Sequence, residues 1–380
     1  MKTAKRLEHI EEYYFSKKLK EVNSLILDGK PIINLGIGSP DLMPPKSVID
    51  QLINSSTIAT AHKYQSYRGI DPLRKAIKDF YLNNYGVKVD SNEEILPLIG
   101  SKEGIMHISL AFLDLGDEVL IPNPGYPTYS SVTKIVGAKP IYYDLKEENS
   151  WLPDIEKLNQ LDLSKVKIMW VNYPNMPTGA NCDDSFFREL ISFSKEKDIL
   201  IVNDNPYSFI LNDKPLSILK ADKKFENCLE LNSLSKSHNM AGWRLGMVIG
   251  SKKNIDSILK VKSNMDSGMF YPVQKGAIEA LSLEKKWYND LNLIYSKRKK
   301  IVIEICRKLK LNFNENNSGM FIWGKLNDSL KSSEKFVDEL LYDKNIFITP
   351  GSIFGSNGEG YVRLSLCVDE KKLNEALKRF

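Results

Sequence analysis

The spacing of hydrophobic positions changes along the chain and divides it into elements of two kinds. Short apolar or β-branched runs predict buried strands. They occur at Ile95–Ile99, Glu118–Ile121, Ile141–Leu145, Lys167–Val171, Ile199–Val202, Cys228–Leu231 and Leu245–Ile249. Helical spacing fills other intervals, at Lys102–Leu113, Tyr129–Val136 and Asp183–Lys197. Seven short strands separated by helices predict an α/β fold with a mostly parallel seven-stranded sheet flanked by helices.

The two ends of the chain have a different pattern. Helical spacing predicts a helix over Leu7–Leu27, and a short strand follows at Ile32–Leu35. Near the other end, the predicted elements are a long helix Glu284–Lys310, strand Ser318–Trp323, helix Glu334–Asp343, strands Ile346–Ile348 and Tyr361–Leu366, and a C-terminal helix. We expect a large domain over residues 46–285 and a smaller α+β domain built from residues 1–45 and 286–380.

Composition and charge exclude several classes of protein. The 380 residues carry a formal net charge of +5, from 53 basic and 48 acidic residues. Because no basic block stands out, we expect no nucleic-acid partner. The charged N-terminus lacks the apolar segment of a secretory signal, and no apolar run approaches the roughly 20 residues that span a bilayer. We therefore expect no membrane association.

The cysteines and histidines indicate the compartment and argue against a metal. Four cysteines lie far apart and form no Cys-x-x-Cys motif: Cys182, Cys228, Cys306 and Cys367. This pattern predicts reduced core thiols in a cytoplasmic protein. The four histidines show no paired spacing of the kind that binds metals, so we expect no metal site.

Chemically interesting residues follow the predicted strands. Ser101 and Lys102 open a helix after the first strand, where backbone N–H groups and the helix dipole favour a phosphate. Tyr126 follows the second strand in a proline-rich loop, and Asp204 follows the fifth. Each has a structural alternative: an ordinary helix start, a core or surface tyrosine, and a cap or structural salt bridge. Ligands of open α/β sheets bind at the carboxyl ends of strands, where these residues fall.

Lys236 lies in a serine-rich turn between the last two predicted strands. A lysine on so short a connection can be partly desolvated, which lowers its pKa and exposes the amine as a nucleophile for carbonyls. Ser233, Ser235 and Arg244 around it are residue types that bind phosphate. An amine nucleophile beside a phosphate site indicates pyridoxal phosphate. The alternative is a solvated lysine on a surface loop.

Taken together, these motifs resemble those of class I/II aminotransferases, which are pyridoxal-phosphate enzymes of fold type I. In chain order the motifs are the Gly38 turn, Tyr64, Gly-Ser-Lys, Pro-Gly-Tyr-Pro, a Pro-Thr-Gly turn, Asp-x-x-Tyr, Ser-x-x-Lys with an arginine eight residues on, and a late arginine. The resemblance covers nearly the whole chain. Gly-Ser-Lys-Glu-Gly-Ile and Tyr-Gln-Ser-Tyr-Arg-Gly-Ile look most like the bacterial branch that holds LL-diaminopimelate and alanine aminotransferases.

The resemblance implies three catalytic residues. Lys236 would bind the cofactor aldehyde covalently and then act as general acid and base in the proton shift. Asp204 would pair with the pyridinium N–H, and Tyr207 would hydrogen-bond to the ring's phenolic oxygen. Arg363 would form a bidentate pair with the substrate α-carboxylate, assisted by the Gly38 backbone.

The resemblance also implies how the cofactor is held. Tyr126 would stack on the ring. The phosphate would be held by Ser101, Lys102, Ser233 and Arg244, with Tyr64 of the partner subunit completing the site. We therefore expect a homodimer with shared active sites.

One position departs from the family pattern. The family usually has Asn immediately before Pro-Thr-Gly, where it touches the ring oxygen and the substrate carboxylate. Here Met176 occupies that position and Asn175 precedes it. Because methionine cannot donate that hydrogen bond, either Asn175 substitutes through a shifted loop or the contact is absent.

The substrate and the reaction type are less constrained. Aspartate-type members use an arginine of the partner subunit for the side-chain carboxylate, and residues 262–271 contain no arginine. We therefore expect transfer between a neutral or large L-amino acid and a 2-oxo acid. A C–S β-lyase could use the same Lys236 and Asp204. A regulator that senses pyridoxal phosphate without catalysis would carry a DNA-binding domain, for which the segment before Pro31 is too short.

Overall fold

The computed structural model describes residues 2–7, 14–327 and 332–380. The predicted helix Leu7–Leu27 falls partly on residues 8–13, outside the described residues, and the helix is described from Tyr14 onward. The α-helices are α1 Tyr14–Leu27, α2 Lys46–Ser56, α3 Asp71–Tyr85, α4 Ser101–Phe112, α5 Pro127–Ile135, α6 Ile155–Asn159, α7 Asp184–Lys197, α8 Lys252–Lys262, α9 Tyr271–Leu281, α10 Lys285–Lys308, α11 Ser333–Lys344 and α12 Glu370–Lys378.

The strands form three sheets. They are β1 Ile33–Asn34, β2 Ile95–Leu98, β3 Glu118–Asn123, β4 Lys139–Asp144, β5 Val166–Val171, β6 Leu200–Asp204, β7 Cys228–Ser233, β8 Gly246–Ile249, β9 Asn312–Phe313, β10 Phe321–Lys325, β11 Ile346–Phe347, β12 Thr349–Pro350 and β13 Tyr361–Ser365. A seven-stranded sheet has the order β2-β8-β7-β6-β5-β3-β4. Strand β8 is antiparallel to β2 and β7, and the other neighbours are parallel. The predicted fold class is confirmed.

The central strands are buried on both faces, as parallel strands between helices must be. Trp170 and Val202 belong to one core, whereas Met169 and Ile201 belong to the core on the opposite face. Parallel pairing of β5, β6 and β7 brings their carboxyl ends to one edge. The residues that follow these strands therefore lie close together.

A four-stranded antiparallel sheet, in the order β12-β13-β10-β9, has a third core. Strand β1 pairs in parallel with β11, with Ile33 opposite Ile346. The two ends of the chain therefore meet in one region. The domain division at residues 45 and 285 stays a prediction.

One predicted strand starts later than expected. Gly319 and Met320 form a bend, in which the Gly319 φ is +83°, and β10 begins only at Phe321. The Ser318 N–H donates to the carbonyl of Gly179 and the Gly319 N–H to that of Ile210. These hydrogen bonds between distant segments replace hydrogen bonds of the strand ladder, and no local sequence pattern predicts them.

Hydrophobic spacing did not predict the bounds of several helices, although the residues at their ends are typical of helix termini. Helix α3 has a proline in its first turn and ends at Gly86, which has a φ of +68°. Helix α8 begins after Ser251, whose side chain accepts a hydrogen bond from the Asn254 N–H. Within the described ranges, no helix is long and apolar enough to cross a membrane.

Candidate active site

A cavity of about 490 Å³ lies at the carboxyl edge of the seven-stranded sheet. Every site residue predicted from the sequence lines it except Tyr64. The predicted residues that line it are Gly38, Ser101, Lys102, Tyr126, Asp204, Tyr207, Ser233, Lys236, Arg244 and Arg363. Residues from both ends of the chain and from its middle thus share one cavity.

Lys236 presents its amine to this cavity. The side chain leaves the turn after β7, and Nζ donates a hydrogen bond to the Gly38 carbonyl oxygen at 2.5 Å. Burial and the positive charges of Arg363 and Arg244 lower the pKa of Lys236, although Cys367 and Asp204 act in the opposite direction. A larger share of the amine is therefore neutral, which is the nucleophilic form.

Asp204 is a buried carboxylate at the end of β6. Its Oδ2 accepts a hydrogen bond from the Tyr129 hydroxyl at 2.9 Å, whereas Oδ1 is buried without a hydrogen-bond partner among the described residues. Burial raises its pKa to about 6, against the effects of the Tyr129 hydrogen bond and the Lys236 charge. A buried oxygen of this kind is stabilised when a cationic donor reaches it.

The start of α4 and Arg244 form a second polar end of the cavity. Gly100 precedes the helix with a φ of +88°, and a Cβ there would lie 2.1 Å from Arg244 Nη2. The Ser101 hydroxyl donates to the Asn232 carbonyl at 3.2 Å. Glycine is required at position 100 for both its backbone conformation and this approach. A helix N-terminus beside a guanidinium suits an anion.

The guanidinium of Arg363, on β13, packs against two aromatic rings. Its Nη2 donates to the Gly36 carbonyl at 2.9 Å, and its Nη1 contacts Met176 Sδ at 3.3 Å. The guanidinium carbon is 3.9 Å from the centroid of Phe321 and 4.9 Å from that of Phe354. Cation–π contact fixes the plane of the guanidinium.

Asn175 lies in a hydrogen-bonded turn and does not line the cavity. Its Oδ1 accepts hydrogen bonds from the Thr178 N–H at 3.3 Å and from the Thr178 hydroxyl at 2.7 Å, within its own turn. Asn175 is not among the residues that line the cavity, whereas Met176 is. Of the two alternatives left open by the sequence, this geometry favours the absence of the contact.

Tyr64 lies outside this chain's cavity and is 90% exposed. Its segment packs beside the loop before α9, since a Cβ at Gly268 would lie 2.5 Å from the Gln65 carbonyl oxygen. The Phe270 ring, on the same loop, is tilted relative to the His62 ring, with ring centroids 5.9 Å apart. This surface carries several large exposed apolar side chains, namely Tyr64, Tyr67, Met265 and Phe270.

Sequence reasoning missed several residues of the site. Tyr129 bonds to Asp204 and stacks on Trp170, with centroids 4.9 Å apart. The Asn172 side chain donates to the Asp204 carbonyl at 2.5 Å. Asn172 directly follows β5, so its position at a strand end was a usable signal. Phe321 and Phe354 come from distant segments, and their approach to Arg363 has no local signal.

One polar cluster lies outside the cavity. Glu103, His107 and Asp266 bring possible ligand atoms within 4.8 Å of one another, a grouping that histidine spacing did not suggest. The buried Lys262 ammonium lies 2.8 Å from Asp266 oxygens, so a cation already holds this carboxylate. We do not assign a metal to it.

Comparisons with known proteins agree with this geometry. The family model of class I and II aminotransferases matches residues 30–380. An LL-diaminopimelate aminotransferase of Dehalococcoides mccartyi is 38% identical, with 100% of this chain and 98% of the relative covered. Its counterpart from Aquifex aeolicus is 39% identical over 98% of this chain and 97% of the relative. The apo structure of BacF from Bacillus subtilis has a TM-score of 0.95 at 34% identity, covering 100% and 97% of the two chains.

The chain therefore belongs to the class I and II aminotransferase family. It is a pyridoxal-phosphate-dependent transaminase of fold type I, which confirms the family, the enzyme class and the cofactor predicted from the sequence.

The cavity fits this cofactor. Asp204 Oδ1 is the buried, unpartnered acceptor that a pyridinium N–H requires. Because Gly100 has no side chain, the start of α4 and the Arg244 guanidinium remain accessible to a phosphate. Lys236 brings an amine into the same cavity, where the cofactor aldehyde would require one.

Proposed function

We propose that the protein transfers an amino group between a neutral or large L-amino acid and a 2-oxo acid, with Lys236 as the catalytic amine. The observation that carries this proposal is the placement of Lys236, with its lowered pKa, in the same cavity as Asp204 and Arg363. These residues are suited to a nucleophile, a partner for a ring nitrogen and an anchor for a carboxylate.

Each side chain has a separate task in this proposal. The bound cofactor supplies an aldehyde for the amine and a ring that accepts electrons from the substrate's Cα–H bond. Lys236 Nζ takes the proton from the substrate α-carbon and later returns a proton. The Asp204 carboxylate holds a proton on the ring nitrogen. The Arg363 guanidinium orients the α-carboxylate through parallel hydrogen bonds.

The remaining roles concern the cofactor. Tyr207 is buried and lines the cavity, and we propose that its hydroxyl donates a hydrogen bond to the ring's phenolic oxygen. Tyr126 lines the cavity as a stacking surface. We propose that Ser101, Lys102, Ser233 and Arg244 bind the phosphate.

The side chains near Arg363 support a neutral or large substrate. Met176, Phe321 and Phe354 surround its guanidinium with apolar groups. Among the described residues, the cavity is lined by no arginine other than Arg363 and Arg244. A second substrate carboxylate thus has no arginine of this chain left to bind it.

LL-diaminopimelate is a second candidate donor, because that substrate appears in the names of relatives 38% to 39% identical to this chain. It is a large amino acid with a second carboxylate, so its binding would require groups other than an arginine of this chain for that carboxylate.

A donor panel tests the substrate class. Purified protein loaded with pyridoxal phosphate is mixed with single amino acids, and the change from the pyridoxal to the pyridoxamine spectrum is timed. We expect large neutral donors or LL-diaminopimelate to react faster than L-aspartate and L-glutamate. Faster reaction with the two short dicarboxylates would refute the proposed class. Pyruvate and ammonia released from a single donor, without a 2-oxo acid, would favour the lyase.

Arg363→Lys tests the carboxylate anchor. Lysine keeps the charge but cannot form two parallel hydrogen bonds, so it is not a conservative change here. Losing a charge-assisted hydrogen bond should raise the Michaelis constant of amino and oxo acids by about ten- to a hundredfold. The control substrate is the decarboxylated amine, whose single-turnover rate should change little. Equal slowing of the amine and the amino acid would remove Arg363 from this role.

We propose that the protein is a homodimer whose Tyr64 completes the neighbouring site. The exposed apolar surface around Tyr64 and Phe270 supports an interface there. We also propose a cytoplasmic location, which the four free cysteines support.

Tyr64→Phe should weaken cofactor binding by about tenfold, since it removes one hydrogen bond to a charged group. Tyr67→Phe is the matched control, because Tyr67 is another exposed tyrosine of the same segment. The measurements are cofactor titration and light scattering. A fully active monomer, or equal effects of the two substitutions, would contradict the shared site.

A further inference from the structure

The turn of residues 36–41 supplies backbone acceptors to two cations of the active site. The Gly36 carbonyl accepts a hydrogen bond from Arg363, and the Gly38 carbonyl accepts one from Lys236 Nζ. Neither carbonyl can move without changing the surroundings of these side chains. The position of the turn is therefore part of the active-site geometry.

An ion pair between the buried Arg298 and the partly exposed Asp41 fixes the far end of this turn. Arg298 on α10 is 1% exposed, and its two terminal nitrogens bind the two Asp41 oxygens at 2.6 and 2.9 Å. The same guanidinium donates to the Leu366 carbonyl at 3.2 Å, directly after β13. Its Nε lies 3.5 Å from Glu370. One side chain thus connects the turn to α10, to the end of β13 and to the start of α12.

The two ends of the turn depend on this pair to different degrees. The Gly36 carbonyl is also held independently of this pair, because it accepts a hydrogen bond from the Thr349 hydroxyl at 2.9 Å. Gly38 is packed against Phe321, where an added Cβ would lie 2.4 Å from the ring. The Gly38 carbonyl is therefore positioned by ring packing on one side and by the Asp41–Arg298 pair on the other.

We propose that Asp41 and Arg298 are positioning residues for proton transfer by Lys236. They fix the turn so that the Gly38 carbonyl orients the Lys236 amine whenever that amine is not bonded to the cofactor. This inference rests on the proposed aminotransferase function. Neither Asp41 nor Arg298 lines the cavity, so each acts through the backbone of the turn.

The bidentate geometry of the Asp41–Arg298 pair makes it sensitive even to a substitution that keeps the charge. A planar guanidinium holds both carboxylate oxygens in one orientation, whereas an ammonium is a single point of charge. Arg298→Lys should therefore keep the buried charge balanced but let Asp41 and the turn rotate. A displacement of about 1 Å at a reacting group can cost on the order of a hundredfold in rate.

The test compares Arg298→Lys with wild type and with Arg307→Lys. Arg307 lies on the same helix but is exposed, and it pairs with Glu304 at 2.5 Å and Glu315 at 2.7 Å. Each cofactor-loaded protein reacts in single turnovers with its best amino donor and with the α-deuterated donor. The measured quantities are the maximal rate, the concentration for half-maximal rate and the deuterium effect.

Arg298→Lys should lower the maximal rate by about ten- to a hundredfold and enlarge the deuterium effect, while the half-maximal concentration changes little. Arg307→Lys should match wild type. Asp41→Asn, which has the shape of the native side chain, should repeat the Arg298→Lys result and serves if that variant does not fold. Wild-type rate and deuterium effect in the folded variants would overturn the inference. Absence of amino transfer in wild type would instead overturn the proposed function.

Discussion

Lys236→Ala is expected to bind pyridoxal phosphate yet to lose amino transfer by roughly ten thousandfold or more, because it lacks both the nucleophile and the proton carrier. The proposed phosphate site at the start of α4 and Arg244 is untouched by this change. Cofactor titration should thus still saturate, and the absorbance of covalently held cofactor should be missing. Single-turnover kinetics measure the remaining rate.

Lys299→Ala is the matched control for this substitution. Burial lowers the pKa of Lys299 to about 8, and burial also lowers the pKa of Lys236. Its Nζ donates to the Asn317 carbonyl at 2.6 Å, and it does not line the active-site cavity. We expect wild-type turnover from this variant. Comparable loss in both variants, or substantial turnover by Lys236→Ala, would contradict the assignment.

Asp204→Asn is expected to slow the chemical step by about a thousandfold with every substrate, as an electrostatic contribution of several kcal/mol is lost. The amide keeps the size of the side chain but not its charge, so it cannot stabilise a protonated ring nitrogen. Glu230→Gln is the control. Glu230 is also a fully buried carboxylate, on the neighbouring strand β7, and it does not line the cavity. Equal slowing of the chemical step in both variants would mean that losing any buried carboxylate slows the reaction, and it would contradict a specific role for Asp204.

Asp204 should also give cofactor binding a pH dependence. In the free protein its pKa is raised to about 6 by burial, so the carboxylate is charged above that pH and neutral below it. Only the charged form attracts a pyridinium ion, and cofactor affinity should fall as the pH decreases through about 6. Asp204→Asn should lack this component. The measurement is cofactor titration from pH 5 to 8 for both proteins, and identical profiles would contradict the pairing.

The site residues that could be predicted are those placed by strand ends. Asp204 and Ser233 are at the ends of β6 and β7, and Lys236 follows in the next turn. The sheet topology alone brings these positions to one edge. The local sequence pattern and the general sheet topology together were therefore sufficient to predict which residues lie in this half of the cavity.

The other half depends on contacts between distant segments. Phe321 and Phe354 approach Arg363 because sheets and loops pack in a particular way, and side-chain orientation across that packing has no sequence period. Asp41 and Arg298 are separated by 257 positions. The late start of β10 has the same origin, since hydrogen bonds to Gly179 and Ile210 compete with the strand ladder.

The measurement that tests the account most directly is borohydride reduction of the cofactor-loaded protein followed by peptide mass mapping. Borohydride makes an amine–aldehyde linkage permanent, so the mass of the cofactor marks the lysine that held it. We predict a yellow protein that loses its absorbance on reduction, with the added mass on the peptide that contains Lys236 and none on that of Lys299. A colourless protein that gains no absorbance with pyridoxal phosphate, or a label on another lysine, would contradict the central claim.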